Sequence, residues 1–252
     1  MNMSSTATHP AFPQPRDTSI PAWRYMDLPK LLSLIVKREL YLRRLDLMPD
    51  KYEGLYPAQV SAALAQVIAA SGDVTADQAR EIADYRVNYA KESRKRLFVS
   101  CWHLGHIESE AMWRIYCGAG GGAAIVLPYA TLSASINTAQ TNAYLGTVTY
   151  IDYASALLTV GNAFTPALHK REQFQYEQEA RVVMLWVDAT ATAPDQEPPS
   201  ISIPWDIGVV DRIVVSPYAG EWYVETVRAV VERLAPGLGA KVIHSPMAHD
   251  PA

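Results

Sequence analysis

The sequence predicts an α+β protein with a mixed, largely antiparallel sheet and a helical insertion. Segments with the two-residue alternation of strands lie beside segments with the apolar spacing of helices. Several strand-like segments follow one another, which is unlike the regular alternation of a doubly wound α/β sheet. The stretch from 57 to about 96 is helical almost throughout, so it predicts an insertion packed on the core.

The composition predicts one ordered domain behind a short leader. The chain has 252 residues, of which 49% are hydrophobic and 19% charged, an ordinary globular balance. Residues 1–21 are rich in Pro, Ser and Thr and lack the apolar core of a signal peptide, so they predict a disordered leader. Residues 22–252 then form a single α+β domain.

Charge, cysteine content and hydropathy indicate the cellular compartment in which the protein is expected. The net charge of −4 provides no general attraction to nucleic acid or to an anionic membrane. Cys101 and Cys117 are too few for a disulfide framework. No run approaches the roughly 18 apolar residues of a membrane span. We therefore expect a cytoplasmic protein.

The first half of the chain begins with a strand and a helix. "AWRYM" is aromatic and suits a strand, Asp27 is placed to cap the helix "LPKLLSLIVKR", and "ELYLRRLDLM" alternates as a strand does. The insertion follows as two helices separated by Ser71 and Gly72, and Thr75 is the expected cap of the second.

The second half continues with the strand "LFVSCW", a short helix "ESEAMWRIYC" that ends at Gly118, and a glycine turn into the strand "AAIVLPY". "YLGTVTYIDY" predicts another strand. A helix is expected from about Thr165 into "HKREQFQYE", then a strand with "EARVVMLW" and a polar loop "DATATAPDQEPPS". The strand "DRIVVSP", the helix "WYVETVRAVVERL" and the strand "AKVIHSP" close the chain.

Six motifs together carry a resemblance: "WRYM", "LYLRRLDLMPDKYEG", "FVSCW", "MWRIYCGAGGGAAIVL", "YEQEARVVM" and "RIVVSPYAGEW" with "VIHSP". Their order, from Trp23 to Met247, resembles a bacterial family of unknown function, the one numbered twenty-nine seventy-one. Family members usually carry Asp-Pro-Phe-Glu where this chain has Asp50-Lys51-Tyr52-Glu53. The resemblance itself implies no activity.

Four residues follow the order Arg, Ser, Glu-x-Glu along the chain. They are Arg24 on the first strand, Ser100 on a middle strand, and Glu177 and Glu179 at the start of a late strand. That order resembles the ADP-ribosyltransferases, and the strand–helix–strand opening resembles their fold. The resemblance implies an enzyme that cleaves NAD at the nicotinamide–ribose bond. It also implies a macromolecular acceptor, protein or nucleic acid, and a role as a bacterial toxin or phage-defence effector.

Each residue would then have a role suited to its chemistry. Glu179 would stabilise the oxocarbenium-like transition state, and Glu177, on the same face of the strand, would orient or deprotonate the acceptor. Arg24 would clamp the pyrophosphate or ribose, because a guanidinium matches phosphate oxygens. Ser100 would hydrogen-bond the ribose or Glu179. Trp102, Trp113 and Tyr116 are the candidates for stacking on nicotinamide.

Structural interpretations of the same residues remain open. If the preceding helix continued, Glu177 and Arg181 would form a surface pair worth about 0.3–0.5 kcal/mol. On a strand, Arg181 could instead neutralise both glutamates. Such ion pairs would suit a non-enzymatic module that binds a nucleotide or a protein on the same fold.

Two further patterns suggest other kinds of site. His103 and His106, with Glu108 and Glu110 close by, form a loose pattern for a metal-dependent hydrolase, which ranks last because Gly105 disfavours the helix such spacing needs. The run "KESRKR" is basic, as is the stretch 30–46. Such runs are usually solvated faces, but beside a site they would guide a nucleic acid or an acidic protein.

Overall fold

The computed structural model describes residues 9–118, 121–136, 142–186 and 197–248. The helices are α1 (Leu28–Lys37), α2 (Gln59–Ala69), α3 (Ala76–Ser93), α4 (Glu110–Cys117), α5 (Tyr129–Ile136) and α6 (Glu221–Leu234). The strands are β1 (Pro21–Asp27), β2 (Glu39–Arg44), β3 (Leu97–Leu104), β4 (Gly122–Pro128), β5 (Ala143–Thr147), β6 (Thr149–Ile151), β7 (His169–Arg171), β8 (Glu179–Leu185), β9 (Ser200–Pro204), β10 (Arg212–Val215) and β11 (Val242–His244).

Among the described residues, nine strands form one mixed sheet, and β6 and β7 form a second, parallel pair. Within the described strands of the large sheet, β10 and β11 pair in parallel and the other pairings are antiparallel. The prediction of an α+β protein with a mixed, mostly antiparallel sheet is therefore confirmed.

Strand β3 is the centre of this sheet, because β1 and β2 both pair with one of its edges. At the end of β3, His103 pairs with Trp23 of β1, and at its start, Val99 pairs with Arg43 of β2. Residues 100–102 pair with neither β1 nor β2 within the described chain. We call this opening between β1 and β2 the fork. The other edge of β3 pairs with β8 over seven consecutive positions.

The sheet has a different cover on each face. Helices α1, α5 and α6 pack on one face and contribute Leu31, Leu132 and Val227 to the main core. On the opposite face, α4 packs Trp113 against β1 and β4. Because successive strand residues point to opposite faces, residues at alternate positions of a strand face the main core and those between them face the side of α4.

Local signals set several element boundaries. The side chain of Asp27 accepts a hydrogen bond from the Lys30 N–H at 2.9 Å, which caps α1 as expected. Thr75 and Gln78 form a reciprocal capping box at the start of α3. Gly118, with φ 66°, ends α4.

The chain before β1 packs on the sheet from residue 9 onwards. Phe12 is buried, and the side chain of Gln14 donates to the Leu145 carbonyl at 2.8 Å. The Thr147 N–H also donates to the Pro13 carbonyl at 2.8 Å. Residues 9–20 fall within the predicted disordered leader, so the structure corrects that part of it, and residues 1–8 lie outside the described chain.

Other departures concern local structure. The helix expected from Thr165 is instead a short 3-10 helix (Thr165–Leu168), strand β7 and a second 3-10 helix (Glu172–Glu177). The pattern of the sequence also did not indicate α5 or β9. The segment "YLGTVTYIDY" divides between β5 and β6, which belong to different sheets. The predicted loop after Val187 lies largely outside the described residues.

No helix in the described part of the chain combines the length and the apolar character needed to cross a membrane.

Gly122 at the start of β4 lies very close to β1 and to α4. A Cβ atom there would lie 2.5 Å from the Met26 carbonyl oxygen and 2.7 Å from the Cys117 Cβ atom. We expect Gly122→Ala to lower the free energy of unfolding by about 1–3 kcal/mol, as overpacking does. Urea unfolding measures this loss. Gly161→Ala is the control, since no atom lies within 4 Å of a Cβ there. Equal stability of the two variants would contradict the packing.

Candidate functional site

Glu179 and Arg181 lie on the face of the sheet opposite the main core. In the β3–β8 register, Glu179 is opposite His103 and Arg181 is opposite Cys101. Val183, at the same parity, packs in a small apolar cluster on this face. The glutamate therefore opens a buried strand, as the sequence predicted.

Glu177 reaches the same place by a different route from the one expected. The strand begins only at Glu179, and Glu177 ends the preceding 3-10 helix. Between them, Gln178 adopts the left-handed conformation with φ 40°, which is uncommon for a residue with a side chain. The expectation that Glu177 shares the face of the strand by alternation is corrected: the backbone turn at Gln178 brings its carboxylate beside that of Glu179.

Both carboxylates belong to a buried ion network formed with Glu53, Lys170 and Arg181. The Arg181 Nε lies 2.6 Å from Glu179 Oε1, and its Nη2 contacts Glu53. The Lys170 Nζ lies 3.2 Å from Glu179 Oε2, 3.5 Å from Glu53 Oε1, and in contact with Glu177. All five residues are buried. One ammonium therefore contacts three carboxylates, which places Glu177 and Glu179 close together.

The network shifts the two carboxylates in opposite directions. Burial would raise the pKa of Glu179, but Arg181 and Lys170 outweigh burial and lower that pKa to about 2. Burial raises the pKa of Glu177, and Lys170 offsets only part of this effect. Three carboxylates face two cations, so the fully ionised network would carry −1. Protonation of Glu177 would remove that excess charge.

A recess of about 40 Å³ adjoins the two glutamates. Its lining consists of Trp23, Tyr25, Cys101, Trp102, His103, Met112, Tyr116, Glu177 and Glu179. The Tyr116 hydroxyl donates to Glu177 Oε1 at 3.3 Å. The His103 Nδ1 donates to the Glu177 carbonyl at 2.7 Å, and burial lowers the pKa of this imidazole, so it is neutral at pH 7.

The structure does not bring Arg24 and Ser100 to this recess. On β1, Arg24 points to the same face as Ala22 and Met26, which lie two residues away. On β3, Ser100 points to the same face as Phe98. These neighbours belong to the main core on the other face of the sheet. The expected constellation is thus split by the sheet. The two glutamates lie on one face, and the arginine and serine lie on the other, at the fork.

The fork has an unusual set of polar groups. The Arg24 Nη2 donates to the Tyr41 carbonyl at 3.1 Å and so connects β1 with β2. Within the described chain, Arg24 Nη1, Ser100 Oγ and Trp102 Nε1 are buried without a hydrogen-bond partner. Burial lowers the pKa of Arg24 to about 10, and the group remains a cation at pH 7. Buried polar atoms normally find partners, so this group of atoms suits a polar ligand or water.

The three candidate aromatic residues also separate. Tyr116 lines the recess directly. Trp113 is fully buried behind it, 4.7 Å from Tyr25 between ring centroids. Trp102 borders the recess, but it belongs to the main core on the other face and its ring packs against Trp205 at 6.1 Å. Tyr116 is therefore the candidate with direct access to Glu177.

Sequence reasoning missed Glu53 and Lys170. Glu53 lies in the turn after β2, far from β8 in sequence, and only the folded chain brings it to Arg181. Lys170 was assigned to a helix, whereas a strand at 169–171 directs it into the network. The signal available was the apolar setting of "YEQEARVVM", which implied that a buried Arg181 needs more than one carboxylate.

The structure divides the metal pattern, because His103 lines the recess and His106 does not. Among the described residues, no group of three or more His, Cys, Asp or Glu side chains is placed to hold a metal ion. His106 is exposed and lies 4.0 Å from Asp17, away from the buried His103. In the basic run, Lys95 pairs with Glu92 at 3.0 Å and Arg96 with Glu197 at 3.6 Å.

No protein-family model, no curated protein and no solved structure matches this chain. The function therefore has to be inferred from the geometry of the site.

The lowered pKa of Glu179 makes the free energy of unfolding depend on pH in the acidic range. Its folded value of about 2 lies below its ordinary value of 4.5, so the ionised form stabilises the fold fully above about pH 4.5. We expect that contribution, on the order of 3 kcal/mol, to be lost as the pH falls from about 4.5 to about 2. Urea unfolding across this range measures the slope.

Glu179→Gln should show a shallower acid slope than the wild type, because Gln does not titrate. Glu110→Gln is the matched control, since Glu110 is exposed in a surface pair with Arg114. Glu177 acts with the opposite sign: its raised pKa gives stability that is lost as the pH rises through the folded value. If Glu179→Gln kept the wild-type slope, the proposed ionisation of Glu179 would be excluded.

Proposed function

We propose that the protein is an ADP-ribosyltransferase-like enzyme that cleaves NAD at the nicotinamide–ribose bond and transfers ADP-ribose to a macromolecule. The observation that carries this proposal is a pair of adjacent carboxylates that share the Lys170 ammonium and line a recess with aromatic walls. Burial raises the pKa of Glu177, whereas Arg181 and Lys170 lower that of Glu179. Two titratable groups whose environments separate their pKa values are typical of acid–base sites.

The chemistry assigns a different task to each glutamate. Departure of nicotinamide builds positive charge on the ribose, and Glu179, ionised at pH 7, would stabilise that charge. Glu177 has the raised pKa and contacts Tyr116 at the recess, so it would accept the proton of the incoming acceptor. Lys170 touches both carboxylates and would hold their spacing during these steps.

Entry of the substrate requires a change in the recess. Its volume of about 40 Å³ is well below the roughly 150 Å³ of a cavity that holds one benzene ring. Tyr116 is 41% exposed and lies near the end of α4, so it is the side chain best placed to move. In this proposal, rotation of Tyr116 away from Glu177 admits the nicotinamide ribose.

The proposed relation to the ADP-ribosyltransferase fold and to the family numbered twenty-nine seventy-one belongs to the same proposal. It is supported by the order β1, α1, β2 at the start of the chain. The position of the acidic strand β8 beside β3 supports it as well. The roles first expected for Arg24 and Ser100 as ligands of the same NAD molecule are not supported, because those residues lie across the sheet.

A second candidate function is a non-enzymatic module that binds a nucleotide. The half-buried Arg24 guanidinium favours it, since no carboxylate contacts this cation in the described chain and its Nη1 atom is buried without a partner. An uncompensated buried charge is costly unless a ligand supplies the opposite charge. In this case the ion network around Arg181 would be structural.

Activity with labelled NAD tests the enzymatic proposal. We expect the wild type to release nicotinamide and to label either protein or nucleic acid, offered as separate acceptors. Glu179→Gln should lower nicotinamide release by at least about 100-fold, the size of loss found when a transition-state electrostatic contact is removed. Glu177→Gln should reduce transfer to the acceptor more strongly than nicotinamide release.

Glu110→Gln serves again as the surface control, and circular dichroism shows whether each variant is folded. Equal turnover by Glu179→Gln and wild type would exclude the proposed mechanism. If folded wild type neither turns over NAD nor binds it, the enzymatic proposal fails. Binding of a nucleotide that is lost in Arg24→Met, without turnover, would support the second candidate.

A further inference from the structure

A larger cavity lies on the other side of the wall that carries Lys170. Its volume of about 450 Å³ falls in the range of small-molecule sites, and it is open to solvent. Its lining includes Tyr52, Tyr56, Tyr153, Asp152, Arg171 and Glu172. We call it the tyrosine cleft. None of the roles assigned above to the recess or to the fork uses these side chains.

Strand β7 separates the tyrosine cleft from the ion network. Lys170 is buried and points to the network, whereas the next residue, Arg171, lines the cleft. This follows from the alternation of side chains along a strand. The two sites are therefore distinct, although they share one wall.

Arg171 is held in a fixed position at this wall. Its Nη2 lies 2.9 Å from Asp50 Oδ1, its Nε donates to Asp50 Oδ2 at 3.2 Å, and Asp50 is itself buried. The guanidinium also lies 4.7 Å from the centre of the Tyr52 ring. In the described chain Nη1 makes no hydrogen bond, so Arg171 presents a rigid, unused donor edge of the kind that recognises planar acceptors.

Aromatic rings form the rest of the wall. Tyr52 is 47% exposed, and its ring meets that of Tyr153 edge to face at 5.2 Å. Tyr56 lies on the side of the helical insertion, and its hydroxyl donates to the Asn162 carbonyl at 3.4 Å. An exposed tyrosine ring held by its neighbours offers a stacking surface at low entropic cost.

The charges of the cleft select among planar ligands. Arg171 would repel a cationic ligand, while Asp152 and Glu172 on the rim would repel an anionic one. A neutral ring with both donors and acceptors on its edge satisfies all of these groups. Arg171 and the amide of Gln173 would donate, and the carboxylates would accept. Nucleobases have this combination of a stacking face and a mixed polar edge.

We propose that the tyrosine cleft binds a nucleobase, stacked on Tyr52 and hydrogen-bonded by Arg171. The site stands independently of NAD cleavage at Glu177 and Glu179. It gives the protein a place for a nucleoside.

Binding of adenosine, guanosine, cytidine and uridine, measured by calorimetry and by saturation-transfer NMR on the full chain, tests the proposal. We expect at least one nucleoside to bind the wild type. Tyr52→Ala should weaken that binding by about 5- to 150-fold, the range that loss of one base–aromatic stack produces. Tyr52→Phe retains the ring and should bind like the wild type.

Tyr41→Ala is the matched control, because Tyr41 is 46% exposed and lies outside the cleft. It should leave the affinity unchanged. Absence of binding by all four nucleosides at millimolar concentration would overturn the proposal. So would equal affinity of Tyr52→Ala and wild type, or binding of agmatine, a cationic probe, in place of the nucleosides. None of these results depends on NAD turnover, so this proposal and the enzymatic one fail separately.

Discussion

The guanidinium of Arg181 is the constraint around which one face of this protein is organised. It is completely buried, and a charge removed from water is tolerated only when its partners surround it. Three of its nitrogens are used: by Glu179, by Glu53 and by the Ala167 carbonyl at 2.7 Å. These partners come from β8, from the turn after β2 and from the 3-10 helix before β7. One side chain thus holds together segments more than 100 residues apart.

That requirement explains both the success and the failure of prediction along this part of the chain. The apolar run after Arg181 indicated a buried strand, and the pairing with β3 agrees with it. The segment before it, "HKREQFQYE", was expected to be helical. Instead, the chain must deliver Lys170 and Glu177 to the same network. Two short 3-10 helices, a three-residue strand and a left-handed Gln178 accomplish this. This local structure is set by contacts that form only in the folded chain, so the pattern of the local sequence does not predict it.

The candidate site shows a different limit of sequence reasoning. Arg24, Ser100 and Glu179 lie on three neighbouring strands, β1, β3 and β8. Order does not fix the face, however. A shift of one position along a strand moves a side chain to the other side of the sheet. In the observed register, Glu179 is opposite His103 and shares its face, so Trp23 and Tyr25 are its companions from β1, and Arg24 is not. The caps at Asp27 and Thr75, by contrast, depend on a few adjacent residues and were predictable.

The charge balance of the network bears on whether it is only structural. A structural network would need two carboxylates for its two cations, and Glu53 and Glu179 already meet Arg181 and Lys170. Glu177 is the third. It is also the carboxylate that contacts Tyr116 at the recess, and its pKa is raised while that of Glu179 is lowered. The fold holds Gln178 in an uncommon backbone conformation that places Glu177 beside Glu179, and such conformations cluster at functional sites, which supports the proposed chemical task for Glu177.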